Sequence, residues 1–300
     1  ARVVFENGDG TERYSDPDSG GTEHERVLVG ILPEVAFSFR VEIDDGDGYR
    51  CVAQGVGENG ALPGGLPEWS MDVADASSVA PGMNLLPMIS SDGIPEHWLV
   101  IVDESGRAVW AWSPSREANS VLTTRAWLSR DRQGVLYNSG ALSADGPSSF
   151  GKVAFDGTWS VVATVEGAHT DFVELPDGRI AYIGWELREF DGQRLLGDHV
   201  STVDESGLVQ TLWRSFDNVE VDLTNEWSTG FYVPDPSVGD WSHVNGISVD
   251  DESGDIFVTM TVWDGIARID GTTGEQEWFL GNSWGDFSTQ GTSALTALPH

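Results

Sequence analysis

The chain has 300 residues, with 49 Asp and Glu against 16 Lys and Arg, for a formal net charge of −33. A chain this anionic lacks the clustered cations that release counterions from nucleic acid, which excludes nucleic acid as a partner and disfavours an anionic membrane surface; no run of about 18 apolar residues exists to span a bilayer, so no membrane insertion is expected. A hydrophobic content of 39%, with 13 Trp and 12 Phe, is still enough to bury a core, so this is not a disordered acidic tail.

Lys152 is the single lysine. An acid-rich, lysine-poor surface repels itself and suits salty water, where the repulsion is screened, so a marine or halophilic source is expected. Cys51 stands alone, which leaves no disulfide framework. No signal peptide begins at Ala1; a mature exported chain and a cytosolic chain both look like this.

In chain order, residues 1–22 are rich in Gly, Asp, Ser and Glu and read as turns. Two strands are predicted next, over Arg26–Ile31 and Ala36–Ile43, joined by a Leu-Pro-Glu turn. The second alternates cleanly, with Phe37, Phe39 and Val41 on one face and Ser38, Arg40 and Glu42 on the other. They fit a small β-sandwich. Asp44–Gly48 is a turn, and the Gly- and Pro-rich residues 54–68 are predicted to be a linker. The boundaries expected are 1–80 for a sandwich-like domain with its linker and 81–300 for a second domain.

That second domain repeats itself. Val102–Gly106, Phe155–Gly157, Val203–Gly207 and Ile269–Gly274 each carry an Asp-to-Gly turn between two strand-like runs. The units start 53, 48 and 66 residues apart, with further strand-like runs at Gly134–Asn138, Arg179–Trp185, Gly246–Val249 and Asp255–Met260. Four strands per repeat of this length predict an all-β propeller of about four blades. Such a ring leaves unpaired sheet edges, so another chain or segment is expected to complete it.

The histidines follow the repeat. His97, His169 and His243 are 72 and 74 residues apart, and His300 follows 57 later. Blade positions before an innermost strand face the channel mouth, where His169, His243 and His300 would share an axial site; a chance scatter of six histidines is the alternative. His243 and Asn245 fall on one side of an extended segment, and an imidazole beside an amide suits nucleophilic or acid–base work on an anion or carbonyl. The plainer reading has Asn245 capping a turn and His243 packing on Trp241.

The stretch from His243 to Gly281 (H-V-N-G-I, D-I-F-V-T-M, I-D-x-x-T-G-E-x-x-W-F-L-G) resembles the bacterial arylsulfate sulfotransferases. So do H-T-D-F-V-E-L-P-D-G from His169, V-D-E-S-G-R-A-V-W from Val102 and, for their N-terminal β-sandwich, V-G-I-L-P-E-V-A-F-S-F-R-V. The resemblance implies a sandwich followed by a six-bladed propeller in an exported protein. It implies sulfuryl transfer from an aryl sulfate to a phenol through a sulfohistidine, with a small aromatic substrate and no cofactor. His300 would attack sulfur, His169 and His243 would bind the sulfuryl group, and Asn245 would assist. Two positions depart from the pattern: Thr170 stands where a second histidine is common, and Thr261 where the family carries an arginine. The other function class is a non-catalytic propeller that binds an aromatic, a glycan or a partner protein at the channel mouth through residues such as Trp241.

Rival motifs are weak. Gly55–Gly60 matches G-x-G-x-x-G without a βαβ unit, and Gly281–Gly285 matches G-x-S-x-G around Ser283 without a following helix. The acidic turns Asn7–Glu12, Asp44–Asp47 and Asp250–Asp255 could take structural Ca²⁺, but none has the full loop pattern. One Cys rules out zinc spacing, and no metal is assigned; a three-histidine site from His169, His243 and His300 is the one metal alternative.

Overall fold

The computed structural model describes residues 1–15, 17, 25–70, 80, 82–90, 96–117, 123–141, 143–221, 228–229 and 237–281. The chain is all-β. Among these residues helix is confined to two single turns, α1 (Pro114–Glu117) and α2 (Ser215–Asn218). No helix among them is long and apolar enough to cross a membrane. There are two compact units, Ala1–Ser120 with Ala154–Thr158, and Val121–Val153 with Trp159–His300.

In the first unit, β1 (Arg2–Asn7), β2 (Glu12–Tyr14), β3 (Ala36–Asp44) and β4 (Tyr49–Glu58) form one antiparallel sheet in the order β2-β1-β3-β4. A second sheet holds β5 (Met83–Ser90), β6 (Glu96–Asp103) and β7 (Ala108–Trp112). Three sequence expectations fail here. Residues 1–22, expected as turns, carry β1 and β2. Arg26–Ile31 is not a strand: Gly30 has φ 102°, and the Asn7 side chain takes the place of a ladder partner, donating to the Gly30 carbonyl at 3.0 Å and accepting from the Leu32 amide at 3.1 Å. The linker over 54–68 is displaced, because β4 runs on to Glu58. Gly55 and Gly57 pair with Phe39 and Phe37, and a Cβ there would lie 2.7 and 2.5 Å from the ring tips, so these glycines are where the rings lie down on the neighbouring strand. Beyond β4, Leu62, Leu66 and Trp69 pack on Trp98, Val100 and Val102 of the second sheet.

Among its described residues the second unit holds three antiparallel meanders of four strands, the pattern of propeller blades. The first has β8 (Ala126–Leu128), β9 (Gly134–Ser139), β10 (Pro147–Ala154) and β11 (Trp159–Glu166). The second has β12 (Ala168–Glu174), β13 (Ile180–Phe190), β14 (Gln193–Val203) and β15 (Val209–Arg214), and carries two short additions, β16 (Ser228–Thr229) and β17 (Val238–Asp240). The third has β18 (Val244–Val249), β19 (Ile256–Met260), β20 (Gly265–Ile269) and β21 (Gln276–Gly281).

The predicted Asp-to-Gly turns close hairpins here. Asp204, for example, accepts the Ser206 hydroxyl at 2.6 Å and the Leu208 and Ser206 amides at 3.0 and 2.9 Å, which together hold its carboxyl below the usual carboxylate range. Between the first and second meanders Phe150, Phe172, Tyr182 and Val203 form one core; between the second and third, Ile183, Val200, Trp213, Trp241, Val258 and Met260 form another. The ends of the first strands are tied by Arg130, which donates through its backbone N–H and Nε to Glu174 at 2.7 Å and pairs with Asp251.

Candidate functional site

Strand β14 sets the site. Its inner half, His199–Val203, pairs with β15, while its outer half, Arg194–Leu196, pairs in parallel with β17. The Trp241 amide continues that docking with a 3.0-Å-class bond to the Leu196 carbonyl, at 2.9 Å. The chain leaving β17 is therefore delivered beside Asp198, two residues further along β14.

Asp198 is 2% exposed and accepts three hydrogen bonds. Oδ1 takes one from His169 Nε2 at 2.8 Å; Oδ2 takes the Ser242 hydroxyl at 2.6 Å and the Val244 amide at 2.8 Å. One carboxylate thus joins both histidine motifs, because Ser242 and Val244 flank His243. A buried carboxylate with three donors is compensated, whereas one with fewer would be costly. His169 is further fixed by a stack on Trp185, centroids 4.5 Å apart and 15° from parallel, and by a contact of 2.7 Å between Nδ1 and the Thr170 hydroxyl. A carboxylate only accepts, so in neutral His169 the proton sits on Nε2 and Nδ1 receives the Thr170 proton. With both ring nitrogens engaged and 5% exposure, His169 is a support in this conformation.

His243 is held differently. Its backbone is left-handed, φ 50°, and its Nδ1 lies 2.5 Å from Asp240 Oδ2, three residues back. That pairing puts the proton of the neutral ring on Nδ1 and the lone pair on Nε2. The segment is therefore not extended at His243, as the sequence reading had it. Asn245 is the extra residue of a bulge, since Val244 pairs with Met260 and Gly246 with Thr259. Thr261 donates its amide to the His243 carbonyl at 3.0 Å, so its place in the site is through the backbone. Thr170 is the counterpart strained residue of the first motif, φ 51°, in a bulge between His169 and Phe172. Trp241 is fully buried, stacked on Phe216 at 4.6 Å, and gives its carbonyl to Trp263 Nε1 at 3.0 Å. Its ring is core and offers no face to a ligand.

A second carboxylate, Asp171, adjoins the first motif. It is 6% exposed, and burial pushes its pKa up against the opposing effect of amide bonds from Phe172 and Ile247. On its Oδ1 converge Trp127 Nε1 at 3.3 Å and Arg125 Nε at 3.8 Å. The neighbouring Thr124 hydroxyl donates to the Thr170 carbonyl at 2.7 Å.

The structure thus brings His169, Thr170, His243, Asn245 and Thr261 into one region; His300 and Ser283 lie outside the described residues. Sequence reasoning missed Asp198, Asp240, Trp185 and the Arg125–Trp127–Asp171 group. The one local signal was an acid at His243 minus three. Among the described residues no group of three or more His, Cys, Asp and Glu is arranged to hold a metal ion.

The family model described as Arylsulfotransferase (ASST) matches residues 74–297. No curated protein matches the chain. Among solved structures, hydrazine synthase of Kuenenia stuttgartiensis aligns at 13% identity over 61% of this chain and 51% of its own, with a TM-score of 0.38. A luciferin-regenerating enzyme aligns at 14% identity over 66% and 61%, TM-score 0.40, and a putative 6-phosphogluconolactonase of Bacteroides fragilis at 11% over 92% of each, TM-score 0.34. The chain spans 51% and 61% of the length of the first two.

Proposed function

The chain belongs to the arylsulfotransferase family, and on that premise we propose that it moves a sulfuryl group from an aryl sulfate to a phenolic acceptor through a histidine-linked intermediate. The observation that carries the reading is Asp198, one buried carboxylate that binds His169 and the residues on both sides of His243. A site that must hold a tetrahedral anion while charge shifts needs donors fixed beforehand, and this network fixes them.

In the proposed reaction the imidazole of His300, assigned by resemblance, forms an N–S bond as the S–O bond to the aryl oxygen breaks. The phenolate leaves with the electron pair. The acceptor phenol then attacks sulfur through its oxygen, the N–S bond breaks, and the phenol proton passes to the released imidazole. In its protonated form His243 keeps Nδ1–H on Asp240 and donates Nε2–H to the sulfuryl oxygens, beside the Asn245 amide N–H; His169 is a positioning residue acting through Asp198. Export of the chain belongs to the same proposal and is checked by fractionating cells that make it. The test of function is incubation with para-nitrophenyl sulfate and a phenol. Multiple-turnover release of nitrophenolate that depends on the acceptor, with parallel-line ping-pong kinetics, is expected; no release and no sulfated acceptor would refute it. A second reading, a non-catalytic aromatic-binding propeller, is favoured by Thr261, which places no cation at that position, and predicts binding without turnover.

A further inference from the structure

An anionic aryl substrate approaching a chain of charge −33 needs a cation and an aromatic face in one place. Arg125 and Trp127 supply both. They flank buried Ala126 at the start of β8 and so project on one side of the strand, and both are exposed, the Arg125 side chain at 47% and Trp127 at 46%. Their heads converge on the same oxygen of Asp171, which orients the indole edge and leaves its face outward. They adjoin the first histidine motif through Thr124, whose hydroxyl holds the Thr170 carbonyl.

Arg125 is also tied more loosely than other arginines of its unit. Among the described residues its carboxylate contact lies at 3.8 Å, whereas Arg179, Arg188 and Arg214 contact carboxylates at 2.8, 2.8 and 3.0 Å. A guanidinium held in place yet not committed to a short ion pair keeps donors for a planar or tetrahedral anion.

We propose that Arg125 and Trp127 form the receptor for an anionic aryl ester, the guanidinium taking the sulfate oxygens and the indole face taking the ring. The identity of the anion rests on the sulfuryl-transfer reading; the receptor itself does not require turnover. Asp171 is its positioning residue.

The test compares wild type with R125A, R125K, W127A, W127F and the charge control R50A, whose arginine lies in the other unit. Calorimetry with para-nitrophenyl sulfate and with neutral para-nitrophenol is run beside steady-state kinetics, after circular dichroism shows each variant folded. R125A is expected to weaken the sulfate ester by about tenfold or more and leave the phenol unchanged, with partial recovery in R125K. W127A is expected to weaken both ligands by about three- to tenfold, with W127F restoring most of the loss. R50A should match wild type. Wild type that binds the ester through these residues but never turns it over upholds the receptor and overturns the transferase reading. Wild-type turnover with KM unmoved in R125A and W127A overturns the receptor and leaves the transferase standing. Equal losses in R50A and R125A reduce the effect to net charge and overturn the receptor. An ester that neither binds nor reacts overturns both.

Discussion

His169 and the two residues flanking His243 meet at one carboxylate, but the two histidines are held in opposite ways. His169 lies within a strand, 5% exposed, stacked on Trp185, and its acid comes from 29 residues along the chain. His243 sits in a left-handed turn before a strand, and its acid comes from three residues back. The first is fixed by the sheet and the second by a loop. Asp198 is what ties the loop to the sheet, so the position of His243 depends on a residue it does not touch. Buried polar networks behave as units for this reason, since losing one member leaves the others desolvated and unpaired.

The largest break is expected from Asp198→Ala. It strands the His169 ring, the Ser242 hydroxyl and the Val244 amide in a buried place, a cost of about 3 kcal/mol or more. In a unit of this size that lowers Tm by roughly 6–12 °C. Thermal unfolding with and without the substitution checks it, and transferase activity should vanish with it.

Asp240→Asn attacks only the local arm. The fold should persist with Tm close to wild type, while the amide no longer enforces the Nδ1–H tautomer of His243. A loss of kcat of about 100-fold with little change in KM is expected. Nitrogen NMR of the imidazole should show the tautomer shift in the same variant.

A third histidine sharpens the contrast. His199 follows Asp198 on β14 but faces Ser201 Oγ, at 2.8 Å from its Nδ1, and burial helped by the nearby Arg214 charge lowers its pKa to about 4. The folded value lies below the unfolded value of about 6.5, so the unfolded chain takes the proton more readily. Its contribution is present above about pH 6.5 and is lost as pH falls towards 4, a cost of about 3 kcal/mol. The depressed carboxylates of the turns, such as Asp204 and Asp270, act in the same direction at still lower pH. Denaturant midpoints measured from pH 7 to pH 4 should fall, and His199→Asn should flatten the upper part of that slope.

Thr170→Ala is the mildest. It removes the hydroxyl contact to His169 Nδ1 and keeps the strained backbone, for about 1 kcal/mol. Thr170→Ser keeps the hydroxyl and should lie within about 0.5 kcal/mol of wild type.

The sequence made the hairpins legible because each is written locally: an Asp whose side chain takes the turn amides, followed by Gly. The same locality located the strands of the second unit, although His169, expected just before a strand, is the second residue of β12. Asp198 was illegible, since nothing local separates it from the other acids among 49. What marks it is the parallel docking of β17 on β14, a non-local pairing between residues 44 apart, 194 and 238. Arg26–Ile31 misled for the converse reason: its apolar run is real, but the Asn7 side chain replaces the ladder. Gly55 and Gly57 resembled linker residues until the rings lying on them came into view. Arg125 and Trp127 flank the first residue of a three-residue strand, too short for periodicity to announce.

The most direct test of the account is a rapid mix of the protein with para-nitrophenyl sulfate alone, with no acceptor, followed by alkaline quench and intact-mass analysis. The account predicts a burst of nitrophenolate equal to the active-site concentration and a chain heavier by one sulfuryl group, discharged when a phenol is added. Nitrophenolate release only with acceptor present, from a chain of unchanged mass, would contradict it.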